Sequence, residues 1–344
     1  MPYYVGLDVS QELTAICIVD EEGTVKYESM VPTEPDDIIT YLNSTGESYG
    51  RIGLETGSFS HWLYHSLYEA GFPVVCIDAR HANSILKAQI AKTDKNDARG
   101  LAQMMRTGWF KATHVKSAES QKIRVLLNNR VCLNSKRIDI ENQIRGTLKI
   151  FGRKIGNVTK AQYEARIRDM IEDDMELKSY IEPLLLSREA MSQQVLVLEK
   201  QIRHMAKNDD VCRRLMTIPG VGPIIALLYK ATVDNPYRFT RSNTLGVHLG
   251  LTPRKYASGE IDYDGHITKC GDRLMRTHLF EAAKVLLSRS GQWSSLKAWG
   301  LSVAKRSSMK KACVAVARKL AVLMHKMWVE NTDFKYKTED LATV

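Results

Sequence analysis

The sequence predicts an α/β domain followed by mainly α sequence, on three observations. Three short apolar strands come in direct succession, helical and strand-like segments then alternate, and a long glycine- and proline-poor helical stretch occupies the middle. Residues 3–9 (YYVGLDV), 13–19 (LTAICIV) and 24–31 (TVKYESMV) read as a strand meander, with the turn Asp20-Glu21-Glu22-Gly23 joining the last two. A helix-like stretch from Glu34 to Leu42, a strand at 50–55 (GRIGLE), a helix from Ser60 to Ala70 and a strand at 73–77 (PVVCI) follow. The order β-β-β-α-β-α-β over residues 1–115 fits a ribonuclease-H-like mixed sheet. A dinucleotide-binding sheet, whose strands alternate with helices from the start, fits less well.

Residues 116–210 carry helical periodicity. Met191, Val195, Leu198, Ile202 and Met205 are spaced 4, 3, 4, 3 in a heptad pattern, which predicts a coiled coil. Leu126, Leu133, Ile140 and Ile144 form a similar stripe, although Arg130 and Arg137 fall at seam positions. The two helices can pair within one chain or between chains. A third region, 211–330, opens with IPGVGP at 218–223 and a helical run from Ile224 to Ala231. That pattern suits the hairpin of a helix-hairpin-helix element, in which Gly220 and Gly222 let backbone N–H groups approach a phosphate. An ordinary glycine turn between helices is the alternative. Residues 331–344 are a polar tail.

A length of 344 residues allows two or three folding units. The chain carries a formal charge of +10, and residues 241–330 account for all of it, with sixteen lysines and arginines against six acids. No acid occurs from Ala282 to Val329, a stretch holding Lys305, Arg306, Lys310 and Lys311, so a polyanionic partner is expected there. No run approaches eighteen apolar residues and the first residues lack a signal-peptide pattern, so a cytoplasmic, nucleoid-associated protein without a membrane partner is expected. Six dispersed cysteines, with no C-x-x-C pair, point to reduced thiols rather than zinc or a disulfide framework.

The acidic residues carry the chemistry. Asp8 and Glu55 each end an apolar strand, and neighbouring parallel strands would place them side by side. In KTDKNDARGLAQMM, residues 92–105, Asp94 and Asp97 stand three apart at a helix start and share a face. Singly, each is explained by a loop mouth, a cap or the helix dipole. Four converging carboxylates, however, repel one another unless hard divalent cations neutralise them, and two Mg²⁺ ions about 4 Å apart suit phosphodiester chemistry. His61 and His65 have the i, i+4 spacing of a zinc pair but no clear third ligand, and a helix suffices to explain them.

Taken together, GLDVS at 6–10, GLETG at 53–57, KTDKNDA at 92–98, IPGVGP at 218–223 and LGLTPRKYASGEIDYDGHITKCGDRLMR at 249–276 resemble the DEDD-type insertion-sequence transposases. These are also called bridge-RNA-guided recombinases, and the pilin-gene invertases are relatives. The resemblance spans nearly the whole chain. It implies that Asp8, Glu55, Asp94 and Asp97 are the metal-binding acids of a RuvC-like nuclease domain. It further implies that Ser258 is the nucleophile of a transposase domain and that both halves form one composite Mg²⁺ site. The family often has Ser-Ser-Gly-Gly where this chain has Ala257-Ser258-Gly259-Glu260, and a basic residue at Cys270. Ser242 and Thr252 match the nucleophile position less well. The expected partners are target and donor double-stranded DNA, a non-coding bridge RNA, and further copies of the chain as dimers assembling into a tetramer. Candidate nucleic-acid contacts are Gly220, Gly222, Arg254, Lys255, Lys269, Arg273, Arg276, Lys305, Arg306, Lys310 and Lys311.

The expected activity is transposition through a covalent phosphoserine intermediate, which conserves the phosphodiester bond energy and needs no ATP; no G-x-x-x-x-G-K-S/T loop occurs. Four other readings remain: a site-specific invertase, a metal-dependent junction-resolving nuclease with an inert Ser258, a sugar-kinase-like ATPase, and a non-enzymatic DNA-binding protein. The ATPase would need a glycine after Val9 and a second nucleotide loop.

Overall fold

Alternating apolar residues along five short segments build a mixed sheet in a first compact unit, Met1–Lys116. The structure, a computed structural model, describes residues 2–87, 92–159 and 161–336. The strands are β1 (Tyr3–Val9), β2 (Leu13–Val19), β3 (Val25–Pro32), β4 (Tyr49–Glu55) and β5 (Val74–Ile77), in the order β3-β2-β1-β4-β5. β1 to β3 pair antiparallel, whereas β4 lies parallel to β1 and β5 parallel to β4. All five fall within a residue or two of their expected positions. The helices of this unit are α1 (Pro35–Ser44), α2 (Ser60–Glu69), α3 (Ala79–Leu86) and α4 (Asp94–Thr107).

Strand periodicity splits the sheet into two unlike faces. Val5, Leu7, Ile16, Ile18, Ile52 and Leu54 are large and fully or almost fully buried against Ile38 and Leu42 of α1 and Leu63 and Leu67 of α2. On the opposite face the residues are small, and Ala15 and Cys17 pack on Ala98 and Ala102 of α4. Gly6 lies in this face, where an added Cβ would stand 2.1 Å from the Ala98 carbonyl oxygen and 2.4 Å from the Ala102 nitrogen. At Gly53, its register partner on β4, a Cβ would meet the Met105 side chain at 2.6 Å. Helix α4 therefore rests directly on the sheet backbone. The Thr93 hydroxyl caps its start by accepting from the Asn96 N–H, and Gly108, with φ of +72°, ends it.

The second unit, Ser117–Val344, holds α5 (Ala118–Ile150), α6 (Tyr163–Met170), α7 (Met175–Lys207), α8 (Asp210–Leu215), α9 (Pro223–Val233) and α10 (Thr244–His248). A hairpin of β6 (Pro253–Ser258) and β7 (Ile261–Ile267) follows, then α11 (Arg273–Ser288), α12 (Ser295–Arg306) and α13 (Met309–Glu330). The two 33-residue helices α5 and α7 pair antiparallel within the unit. The expected stripe on α7 lines this contact, with Val195 and Ile202 buried.

The stripe on α5 matches the expected one at Ile144 and departs from it elsewhere. Ile123, Leu127, Ile144 and Leu148 are buried, with Arg137 between them, while Leu126 and Ile140 are only partly buried. The reason is a polar centre: Arg137 and Arg188 both bind Glu141, Arg188 also binds Glu164 at 2.6 Å, and Arg130 binds Glu199 at 2.7 Å. Apolar clusters flank it at both ends. Around α9, buried on most sides with Lys230 on the remaining one, a larger core joins the ends of α5 and α7 to α11, α12 and α13, and the buried Tyr229 hydroxyl donates to the Ala321 carbonyl at 2.6 Å. Among the described residues no helix is long and apolar enough to cross a membrane. The six cysteines are free; Cys132 and Cys270 are exposed and the other four buried.

The close seating of α4 predicts unequal costs at the two glycines. Gly6→Ala drives a methyl into backbone that cannot yield and should cost about 3 kcal/mol, whereas Gly53→Ala displaces only the flexible Met105 end and should cost about 1 kcal/mol. Urea titration with hydrogen exchange read at the β1 and β2 amides checks the difference; equal costs would contradict the seating.

Candidate active site

Asp8 and Glu55 project from neighbouring parallel strands. The register pairs Gly6 with Gly53 and Leu7 with Leu54, so Asp8 and Glu55 come next along β1 and β4 and share the face on which α4 lies. Helix α4 carries Asp94 and Asp97 in its first turn. The sheet and the helix thus bring the four predicted carboxylates into one electrostatic cluster. Burial, then the charges of Asp97 and Asp94, push the Asp8 carboxyl up to about 6, with Lys92 pulling the other way. Burial, then Asp8 and Asp97, push Glu55 up to about 7, again against Lys92. None of the four side chains has a hydrogen-bond or ion-pair partner among the described residues.

Four oxygen-donor carboxylates, two of them pushed up by burial and by neighbouring negative charge, fit a hard divalent cation by donor chemistry. With the side chains as they stand, no group of three or more His, Cys, Asp or Glu among the described residues is arranged to hold a metal ion. The carboxylates act on one another through charge without closing on a common point. His61 and His65 are otherwise engaged, since each ring Nε2 bonds the Lys116 carbonyl oxygen, at 2.8 and 3.0 Å.

Ser258 belongs to the second unit. It ends β6 opposite Ile261, at the two-residue turn Gly259-Glu260, where Gly259 supplies the positive φ of +56°. The hairpin is solvent-exposed along nearly its whole length. A cross-strand stack of Tyr256 on Tyr263 (centroids 4.9 Å apart) and an ion pair of Lys255 with Asp262 stiffen it. Ser258 has no side-chain hydrogen-bond partner among the described residues, so no base is bonded to it. The rival Ser242 hydroxyl is instead bonded at 2.9 Å to Nδ1 of the buried His325.

The IPGVGP segment joins α8 to α9. Gly220, with φ of +91°, packs on α11, where a Cβ would lie 2.6 Å from the Ala282 carbonyl oxygen. Gly222 is the N-cap of α9 and faces open space. Among the basic candidates, Arg276 donates to the Leu249 and Cys270 carbonyls and Arg254 to that of Thr268, so both brace the base of the hairpin. Lys269, Arg273, Lys305, Arg306, Lys310 and Lys311 are exposed and have no acidic partner among the described residues. The last four surround the junction of α12 and α13.

Comparison with known proteins decides the family. Residues 5–152 match the transposase family DEDD_Tnp_IS110, and residues 212–298 match the transposase IS116/IS110/IS902 family. The chain belongs to the IS110-type transposases. This transposase is 28% identical over 326 residues to the transposase for insertion sequence element IS1111A of Coxiella burnetii, covering 93% of this chain and 87% of that protein. It is 24% identical to the transposase for insertion sequence element IS1328 of Yersinia enterocolitica, covering 82% of this chain and 83% of that protein. The Thermus thermophilus RuvC structure aligns with 32% of the chain and 99% of its own at 14% identity, with a TM-score of 0.25. The fold assignment rests on the observed strand order, not on that likeness.

Sequence reasoning overlooked the two glycines that seat α4. Their signal is present, because Gly6-Leu7-Asp8 and Gly53-Leu54-Glu55 each place a glycine two residues before the acid, hence on the same strand face. Lys92, the cation acting on both strand acids, also went unnoticed.

The raised carboxyls make the transposase's stability depend on pH. Both titrate higher when folded than when unfolded, so the stability they contribute is full below about pH 4 and is lost as pH rises through 6 to 7. In chelator, Glu55→Gln should therefore raise Tm at pH 8 by roughly 3 °C, about 1 kcal/mol after solvent screening. It should leave Tm unchanged at pH 4. Thermal denaturation at the two pH values checks this, and a gain of equal size at both would refute it.

Proposed function

We propose that this transposase cuts and rejoins DNA strands by a phosphoserine mechanism, with Ser258 as nucleophile and Asp8, Glu55, Asp94 and Asp97 as the holders of divalent metal. The observation that supports the metal half is the register of β1 and β4, which sets Asp8 and Glu55 next along neighbouring strands on the face that α4 covers with its acidic first turn, with none of the four carboxylates in an ion pair or hydrogen bond among the described residues. A charge cluster that lowers stability and is not neutralised by ion pairing is a candidate functional site. Mg²⁺, two ions in this reading, supplies charge neutralisation at the scissile phosphate and lowers the pKa of the attacking hydroxyl.

Ser258 Oγ attacks the phosphorus, a P–O bond to one DNA strand breaks, and that strand leaves with a free hydroxyl. A hydroxyl of the exchanged strand then attacks the phosphoserine, re-forming a phosphodiester and releasing Ser258. Bond energy is conserved at both steps, so no nucleotide is consumed. Because no base is hydrogen-bonded to Ser258 among the described residues, this reading assigns its activation to metal held by the carboxylates, on the same chain or on another copy. Residues 1–115 would then act as nuclease domain, 116–210 as dimerisation element and 211–330 as basic transposase domain.

In this reading the exposed cations Lys269, Arg273, Lys305, Arg306, Lys310 and Lys311 bind target and donor DNA and a guide RNA through backbone phosphates, and sequence is read by base pairing. Their exposure and the charge concentrated in residues 241–330 support the phosphate contacts; the RNA and the tetramer rest on the family resemblance. The isolation of Ser258 also favours a second reading, a hydrolytic junction nuclease that uses the acids alone.

One experiment separates the two. Protein, Mg²⁺, DNA carrying the element ends and target, and RNA from the element's flanks are incubated and denatured, and protein-linked DNA is counted. Ser258→Ala and Asp8→Ala should each lower the adduct roughly a thousandfold or more. Free cut ends without adduct, equal in wild type and Ser258→Ala, would establish hydrolysis instead.

A further inference from the structure

Asp94 and Asp97 stand in the first turn of α4, which covers the sheet face that carries Asp8 and Glu55, so like charges face one another at the N-terminal half of the helix. Something must oppose their repulsion. The apolar seat at Gly6 and Gly53 lies under Ala98, Leu101, Ala102 and Met105, in the middle and C-terminal parts of the helix. Along one flank of α4, Arg99, Gln103 and Arg106 occupy the i, i+4, i+7 row, and all three reach toward β3 or the turn before it. Gln103 donates to the Gly23 carbonyl at 2.7 Å and Arg106 to that of Glu21 at 3.2 Å. Both lie in the half of the helix away from the carboxylates.

Arg99 differs from them in position and in chemistry. It stands two residues after Asp97, and its guanidinium makes a two-pronged fork on Glu28 of β3, Nη2 to Oε2 at 2.8 Å and Nε to Oε1. Arg99 holds the Glu28 carboxyl below the ordinary range, so the pair stays ionised at neutral pH. Both Glu28 oxygens are engaged by Arg99, which separates Glu28 from the unpartnered acids.

We propose that the Glu28–Arg99 ion pair is a positioning device for the acidic site, tethering the first turns of α4 to the sheet against carboxylate repulsion as a divalent cation binds and leaves. The proposal rests on the reading of the four carboxylates as a metal site. The Arg99 and Glu28 side chains are 47% and 21% exposed, and pairs this wet add little to global stability. Their effect falls instead on how readily Asp94 and Asp97 reach Asp8 and Glu55.

The test titrates Mg²⁺ into the full-length protein at pH 8 and low salt and reads Tm, for wild type, Arg99→Gln, Glu28→Gln, Arg99→Lys and Asp8→Asn. Wild type should gain Tm with a saturating midpoint, and Asp8→Asn should lose that response. Arg99→Gln and Glu28→Gln should raise the midpoint about three- to fivefold while the metal-free Tm falls by no more than a few degrees. Arg99→Lys, which keeps the charge but not the fork, should fall between them and wild type. Raising the salt should shrink the differences. Wild-type midpoints in both glutamine variants, with Asp8→Asn still unresponsive, would overturn the positioning role and leave the metal reading intact. An equal Mg²⁺ response in wild type and Asp8→Asn would remove the metal reading, and the proposal with it.

Discussion

The direct contact of α4 with the sheet backbone is the constraint on which the acidic site depends. A helix packed over ordinary strand side chains stands several ångströms higher, and two carboxylates in its first turn would then stay clear of those on the strands. Gly6 and Gly53 remove the side chains that would hold it off, and Ala15, Cys17, Ala98 and Ala102 keep the surrounding layer thin. The opposite face of the same strands is filled by Val5, Leu7, Ile52 and Leu54, which face the wider gap beneath α1 and α2. One sheet thus has a thick apolar side that supplies stability and a thin side that supplies proximity. The thin side carries an electrostatic cost, visible in the raised Asp8 and Glu55 carboxyls, that the thick apolar side offsets.

Much of this was legible in the sequence because it is local. Strand alternation, the turn Asp20–Gly23 and the ends of the apolar runs at Asp8 and Glu55 are each written within a few residues, and the structure places them as read. What was not legible depends on partners distant in the chain. Gly6 becomes informative only once Ala98, ninety-two positions later, is known to lie on it. The α5 stripe misled for a related reason. Leu126, Leu133 and Ile140 fit an apolar rule, but the row that faces α7 includes Arg130 and Arg137, whose acidic partners lie on other helices or a turn away. Periodicity does place Arg130 and Arg137 at seam positions, but it cannot foresee the acids that match them there. Gly220 is a further case, since the close approach of its backbone to α11 depends on Ala282, sixty-two positions later.

The polar centre of the α5 and α7 pair has a consequence of its own. Arg137, Arg188, Glu141 and Glu164 form a closed ionic set, and Arg188 also lies over the Tyr163 ring at 4.6 Å. Replacing such a set with apolar residues is often neutral or stabilising, but shifting one helix past the other by a turn would leave a buried charge unpaired. Uniform apolar seams tolerate slippage; this one does not. The pairing of α5 with α7 therefore has one register, and so do the two apolar clusters that flank it, one shared with the C-terminal helices and one closed by α6.

The two units stand in chemical contrast. The carboxylates sit on regular elements, two at strand ends and two in a capped helix turn, so their relative positions are set by backbone packing. Ser258 sits at the tip of an exposed hairpin with no base hydrogen-bonded to it among the described residues, on the strand face shared with Tyr256, Ile261 and Tyr263, which are 43%, 60% and 55% exposed. A serine hydroxyl in water is a poor nucleophile. In the proposed mechanism, the serine alone cannot react and the acids alone lack their nucleophile, so neither unit can complete strand exchange. Competence then arises only when DNA, metal, acids and hairpin are assembled together. Such a division suits an enzyme that must exchange strands without leaving them cut, because a broken phosphodiester forms only in a complex already holding the strand that will reseal it.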